Sequence, residues 1–190
     1  RLTSRYIRSS QWPDIVSDAQ SVLNRFVEPP AEGLVDDNIK LPFDRIYYYA
    51  HMSEEDLRQY RAKYIQTKKK AFKKYFENIE SHPLTEDQIE ACIIDEDNNL
   101  VLAGAGTGKT STMVGRAGFL LESKQATPKD ILMLAFANKA SQEMQDRMKE
   151  RIDRDDVGIS TFHKLGINII SNVEGVKPSI SKYAEDNDSK

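Results

Sequence analysis

The chain has 190 residues, enough for one domain of ordinary size, or one domain with a smaller appendage, and too few for a large multidomain motor. With 39% hydrophobic and 30% charged residues, and no apolar run near the roughly 18 to 20 residues of a membrane span, the sequence reads as soluble and indicates no membrane role. A net charge of -3 requires any nucleic-acid contact to come from a local patch or groove, and the single cysteine, Cys92, excludes an internal disulfide and fits a reducing compartment.

The opening Arg1, with no signal sequence behind it, is read as the mark of an excised fragment. Residues 1–52 carry few signals: apolar clusters (Ile15, Val16, Leu23, Phe26, Val27), a Pro29-Pro30 break, an acidic Asp36-Asp37 loop and the aromatic run Tyr47-Tyr48-Tyr49. Short helices are expected there. Ser53 and Asp56 then form a capping-box pattern, and Leu57, Tyr60, Tyr64, Phe72, Tyr75, Phe76 and Ile79 follow mostly three or four apart. This predicts one long helix over about 54–80, ended before Pro83. Its cations, among them Arg58, Arg61, Lys63, Lys68, Lys69 and Lys70, fit a solvated outer face, the commoner case, or a nucleic-acid face.

After Pro83 the pattern alternates. Helices are predicted over Glu86–Ile94, Lys109–Ser123, Lys139–Ile152 and Phe162–Val173, with buried strands over Leu100–Ala103, Ile131–Phe136 and Val157–Thr161. Strands joined by helices give an α/β fold: a parallel sheet with flanking helices, preceded by a mainly helical N-terminal extension.

Leu100 to Met113 read LVLAGAGTGKTSTM. A P-loop needs a strand, a tight glycine loop, a lysine and a hydroxyl, then a helix whose positive end faces phosphates. Ala103 stands in place of the pattern's first glycine; Gly104, Ala105, Gly106, Thr107 and Gly108 form the loop; Lys109, Thr110 and Ser111 open the helix. Lys109 would meet the β and γ phosphates as a point charge, and the Thr110 hydroxyl would hold Mg²⁺, which makes these two the catalytic candidates.

Leu84-Thr85-Glu86-Asp87-Gln88-Ile89-Glu90-Ala91 upstream, and Leu134-Ala135-Phe136-Ala137-Asn138-Lys139-Ala140 and Ser160-Thr161-Phe162-His163-Lys164-Leu165 downstream, complete four ordered motifs. In order and spacing they resemble the UvrD/Rep-like branch of superfamily 1 helicases, over Pro83 to about Ile170. The resemblance implies that Gln88 reads the adenine of ATP, although Thr85 and Gln88 also fit a capping box that satisfies the helix end. It places Arg116 against the base or ribose. It assigns Phe136, Asn138 and Lys139 (motif Ia) and Thr161, Phe162 and His163 (motif Ib) to single-stranded DNA, for which aromatic faces, amides and cations are suited. The family usually has threonine where this chain has Ala135 and Ala137. No Cys/His cluster accompanies His163, so no metal is assigned beyond Mg²⁺ brought with ATP.

Hydrolysis also needs a carboxylate for Mg²⁺ and an arginine on the γ-phosphate. Ile93-Ile94-Asp95-Glu96 looks like such a strand end, but it precedes the P-loop and follows a capped helix, which makes it an exit turn. The resemblance therefore implies the front part of helicase domain 1A over residues 82–173, an extension over 1–81 and a polar tail over 174–190. The implied intact protein is an ATP-dependent 3′–5′ DNA helicase of the bacterial cytoplasm, whose partners are single-stranded DNA and the rest of its own chain. A protein remodeller acting on a partner such as RNA polymerase, or the motor of a helicase-nuclease, are the alternatives. The piece in hand is expected to bind nucleotide at most.

Overall fold

The computed structural model describes residues 5–26, 37–104, 106–176 and 178, with the side chains of 37–39 excepted. Val27, the Pro29-Pro30 break, Asp36, Ala105 and most of the 174–190 tail lie outside the described residues. The chain divides into two compact units, Arg1–Asn78 with His82–Gly108, and Ile79–Ser81 with Lys109–Lys190.

The first unit is helical. α1 (Trp12–Leu23) carries Pro13 in its first turn, where the missing N–H costs nothing, and packs on α2 (Asp37–Ala50). Ile7, Tyr49, Met52 and Leu57 form a buried cluster against which Trp12, Ile15 and Val16 pack. α3 (Glu54–Ala71) begins at the predicted cap: the Ser53 amide donates to the Asp56 carboxylate at 2.9 Å, and the Asp56 amide to the Ser53 hydroxyl at 3.2 Å. The single helix predicted to about residue 80 is divided. Phe72 leaves helical geometry (φ -107°, ψ 20°), and α4 (Lys73–Asn78) resumes with Phe76 buried. Apolar spacing does not register one displaced residue, because the Phe72 amide still reaches the Lys68 carbonyl at 2.9 Å. α5 (Glu86–Ile93) follows the Thr85 cap and encloses Cys92 completely.

Leu100–Ala103, predicted as a buried strand, has no strand geometry, and Leu100 and Leu102 are 84% and 85% exposed. An apolar run signals burial, but a strand exists only where a neighbour takes its N–H and C=O groups. Among the described residues no strand pairs with this run.

The second unit is α/β. α6 (Lys109–Glu122) leads through a short turn to β1 (Leu132–Ala135), α7 (Asn138–Ile152), β2 (Gly158–Thr161) and α8 (Phe162–Glu174). β1 and β2 pair in parallel, Leu132 opposite Gly158 and Ala135 opposite Thr161. Val114, Met133, Ala135, Met144, Met148 and Val157 form its buried cluster. Phe136, expected to close β1, lies past the strand end, and Ala137 occupies the N-cap of α7 with no side-chain bond.

Candidate nucleotide loop and nucleic-acid edge

Gly106 (φ +73°) and Gly108 (φ +87°) hold left-handed backbone that a side chain would strain, which is why the tight loop needs glycine there. The Thr107 hydroxyl donates to the Gly104 carbonyl at 2.9 Å and closes the loop on itself. A Cβ built at Gly106 meets nothing within 4 Å, so open space lies beside this backbone, as a phosphate cradle requires. Ala103 and Gly104 are exposed.

Gln88 is engaged at both ends of its amide. Its Oε1 accepts from the Thr85 amide at 2.9 Å while its own backbone amide donates to the Thr85 hydroxyl at 3.3 Å, completing the capping box. Its Nε2 donates to the Thr107 carbonyl at 3.0 Å, tying α5 to the glycine loop. Sequence reasoning offered capping or base contact; the bond to Thr107 was not foreseen, since nothing local signals a contact nineteen positions away.

In the second unit, Lys109 and Thr110 open α6, with Lys109 exposed, Thr110 and Arg116 half-buried, and Thr112 buried. The Ser111 hydroxyl accepts from Arg147 Nη1 at 3.1 Å, and the same guanidinium bonds Glu80 at 3.1 Å and Glu143 at 2.8 Å. Arg147 thereby fastens α6, α7 and the Ile79–Ser81 run together, a role absent from the sequence reading.

The parallel pair brings motifs Ia and Ib to one edge. Because Ala135 faces Thr161 in register, Phe136, Asn138 and Lys139 leave one strand where Phe162 and His163 leave its neighbour. Phe136 is 85% exposed and Phe162 59%, and Asn138, Lys139 and His163 are exposed beside them. Thr161 differs: it is buried, and its hydroxyl caps α8 by accepting from the Lys164 amide at 3.3 Å. Ala135 is buried in the core, which explains how an alanine is accommodated there.

The acidic run after α5 is occupied. Arg8 Nη2 donates to Asp95 Oδ2 at 2.7 Å and Arg8 Nε to the Asp95 carbonyl at 3.0 Å; the Ser9 amide donates to Glu96 at 2.9 Å; the Ser10 amide and hydroxyl donate to Asp97 at 3.0 and 2.8 Å. Arg61 pairs with Glu96 and donates to the Ile7 carbonyl at 3.0 Å. Arg8 is held more firmly protonated by its hydrogen bond to Asp95, and the Ser10 hydroxyl and amide hold the Asp97 carboxyl below its usual range. The turn thus straps down residues 5–10, in agreement with its reading as a helix exit. Among the described residues no three His, Cys, Asp or Glu side chains gather to hold a metal ion. No helix there is long and apolar enough to cross a membrane.

A glycine loop opening onto a helix, then parallel strands joined by a helix with polar and aromatic groups at their carboxyl ends, defines part of a P-loop nucleotide-binding α/β domain behind a helical N-terminus. The sequence profile of the UvrD/REP helicase N-terminal domain matches residues 84–186, more than half of the chain, and the chain belongs to that family. Within the branch, the stretches from Tyr75 to Gln88, from Leu100 to Ser111 and from Ile131 to Met144 look like bacterial DNA helicase IV, and DNA helicase IV of Escherichia coli (strain K12) is 41% identical over 128 residues, covering 67% of this chain and 19% of that protein. DNA helicase II of Rickettsia typhi is 38% identical over 89 residues (47% of this chain, 14% of that protein). ATP-dependent DNA helicase PcrA of Staphylococcus aureus is 35% identical over 86 residues (44% and 12%). The chain therefore spans no more than about a fifth of the length of these relatives.

Proposed function

We propose that the chain is the nucleotide-gripping front of an ATP-dependent helicase that moves 3′ to 5′ on single-stranded DNA in the bacterial cytoplasm. Residues 82–173 are the front of domain 1A, behind an extension over 1–81 and ahead of a tail over 174–190. Residues 103–108 cradle the phosphates, Lys109 neutralises the β and γ groups, and Thr110 holds Mg²⁺. Gln88 and Arg116 contact the nucleoside, Gln88 exchanging one of its present bonds for the adenine edge, and Ser111 completes the loop's exit. The metal supplies charge neutralisation on the phosphates; the protein's own groups supply position. Phe136, Asn138, Lys139, Phe162 and His163 contact the DNA strand, and Thr161, assigned with them, acts from beneath by holding the start of α8. The observation that carries this reading is the register of β1 and β2, which sets two exposed phenylalanines and a lysine on one edge.

Binding of a fluorescent ATP analogue, read by anisotropy, tests the nucleotide part. The chain is expected to bind it weakly, with Lys109→Ala weakening binding by roughly tenfold to a hundredfold, the worth of a charge-assisted bond. No turnover is expected, because the acids Asp95 and Glu96 are spent on Arg8 and Arg61; a stoichiometric, Lys109-dependent ATPase rate overturns that. In the longer protein, single-stranded DNA should stimulate the ATPase. Failure of that stimulation sinks the DNA motor and favours a protein partner.

A further inference from the structure

A groove of about 740 Å³ opens between α2 and α3 in the first unit. Leu41, Arg45 and Tyr48 face it from α2 at positions i, i+4 and i+7; Tyr60, Lys63, Tyr64 and Thr67 face it from α3 at i, i+3, i+4 and i+7. Tyr49 and Tyr64 are buried in its floor, while Tyr48 remains 44% exposed at its mouth. The charges are uneven. Arg45, Lys63 and Lys68 line the groove against one carboxylate, Asp44, in a chain whose net charge is -3.

Several cations of α3 and α4 are already paired outside the groove. Arg58 is taken by Glu55 at 2.6 Å, Arg61 by Glu96, Lys69 by Glu86 and Glu90 at 2.6 and 2.8 Å, and Lys73 by Glu77 at 3.8 Å. In the groove Arg45 and Lys63 have no ion-pair partner among the described residues, and Lys68 sits over the rings of Tyr64 and Phe72 at 5.3 and 5.7 Å. Unneutralised cations interleaved with tyrosines suit a polyanion that also carries flat apolar faces. An acidic peptide would use the cations and leave the rings idle; a duplex hides its base faces in its own stack.

We propose that this groove binds single-stranded DNA, a base stacking on Tyr48 while Arg45 and Lys63 take the flanking phosphates. It is a contact separate from the strand-end residues, and it rests on the helicase reading only for the choice of DNA.

Anisotropy of a labelled oligothymidine of about 20 nucleotides, titrated with the whole 190-residue chain, tests it. Tyr48→Ala should weaken binding about tenfold and Tyr48→Phe less than about twofold, since the ring carries the contact. Arg45→Glu with Lys63→Glu should also lower the slope of log affinity against log salt by about 1.4, the share of two phosphates on a single strand. Lys74→Glu and Lys149→Glu, outside the groove, should change affinity by less than about twofold. Thermal melts establish that each variant folds, and Tyr48→Phe separates ring from packing should Tyr48→Ala melt early.

The proposal is overturned if the chain binds no oligothymidine, if the groove variants bind as wild type, if Lys74→Glu costs as much as they do, or if polyglutamate displaces the strand as well as unlabelled oligothymidine. Loss on Phe136→Ala and Lys139→Ala with the groove variants intact leaves the strand-end reading standing and removes this one. The reverse pattern does the opposite.

Discussion

Arg61 carries the N-terminal strap. Its guanidinium serves Glu96, the Ile7 carbonyl and the Ser9 hydroxyl, with only 19% of the side chain exposed. Arg61→Ala should cost about 3 kcal/mol, because it leaves Glu96 half-buried with a charge unmatched, and a shifted urea midpoint at constant slope reads the loss. Tyr6 adds a pH signature. Burial pushes its hydroxyl from 10.0 up to about 12, against the opposing pull of Arg61, with Glu96 adding to the rise. Its folded value lies above its unfolded one, so its contribution is complete below pH 10 and is lost as pH rises toward 12. Alkaline melts of Tyr6→Phe should therefore be flatter than those of wild type across that window. Neither role is legible in the sequence, which presents Arg61 as one cation among many, because its partners lie 54 and 52 positions away. The capping boxes at Ser53 and Thr85 were legible because cap and partner lie three positions apart.

Helices and strands differ in how far their residues announce them. α7 and α8 follow their apolar periods closely, and β1 and β2 fall inside their predicted spans. The Leu100–Ala103 run failed as a strand prediction because strand formation is a property of two segments, and the apolar count reports on one. α7 starts without a side-chain cap at Ala137, where the family usually has threonine. Ala137→Ser should supply the missing acceptor and raise stability by about 1 kcal/mol, measured by denaturant unfolding. An unchanged midpoint would show that the α7 amides are satisfied in another way. The same substitution adds a hydroxyl beside Phe136 and Lys139, so an accompanying gain in oligothymidine affinity would favour the strand-end reading.

Each unit keeps its own apolar cluster, one around Ile7 and Leu57, the other around Met133 and Met148. Met148 is 1% exposed, and Met148→Ala should cost about 2 to 5 kcal/mol. Hydrogen exchange should register that loss in α6, α7, β1 and β2 while amides of α1 and α3 exchange as before; uniform acceleration along the chain would contradict separate clusters. Which motifs meet at one edge was readable, because a parallel strand-helix-strand order sends both strand ends the same way. Which side chains bind the strap, the loop and the groove was not, since each contact joins distant segments. Complete enclosure of the single thiol in α5 turns the glycine loop's neighbour into a clock. Cys92 can meet an alkylating reagent only when that helix opens, so its labelling rate counts openings of the segment that carries Gln88. A nucleotide that settles on the loop should slow the count, and a strap cut at Arg8 should quicken it.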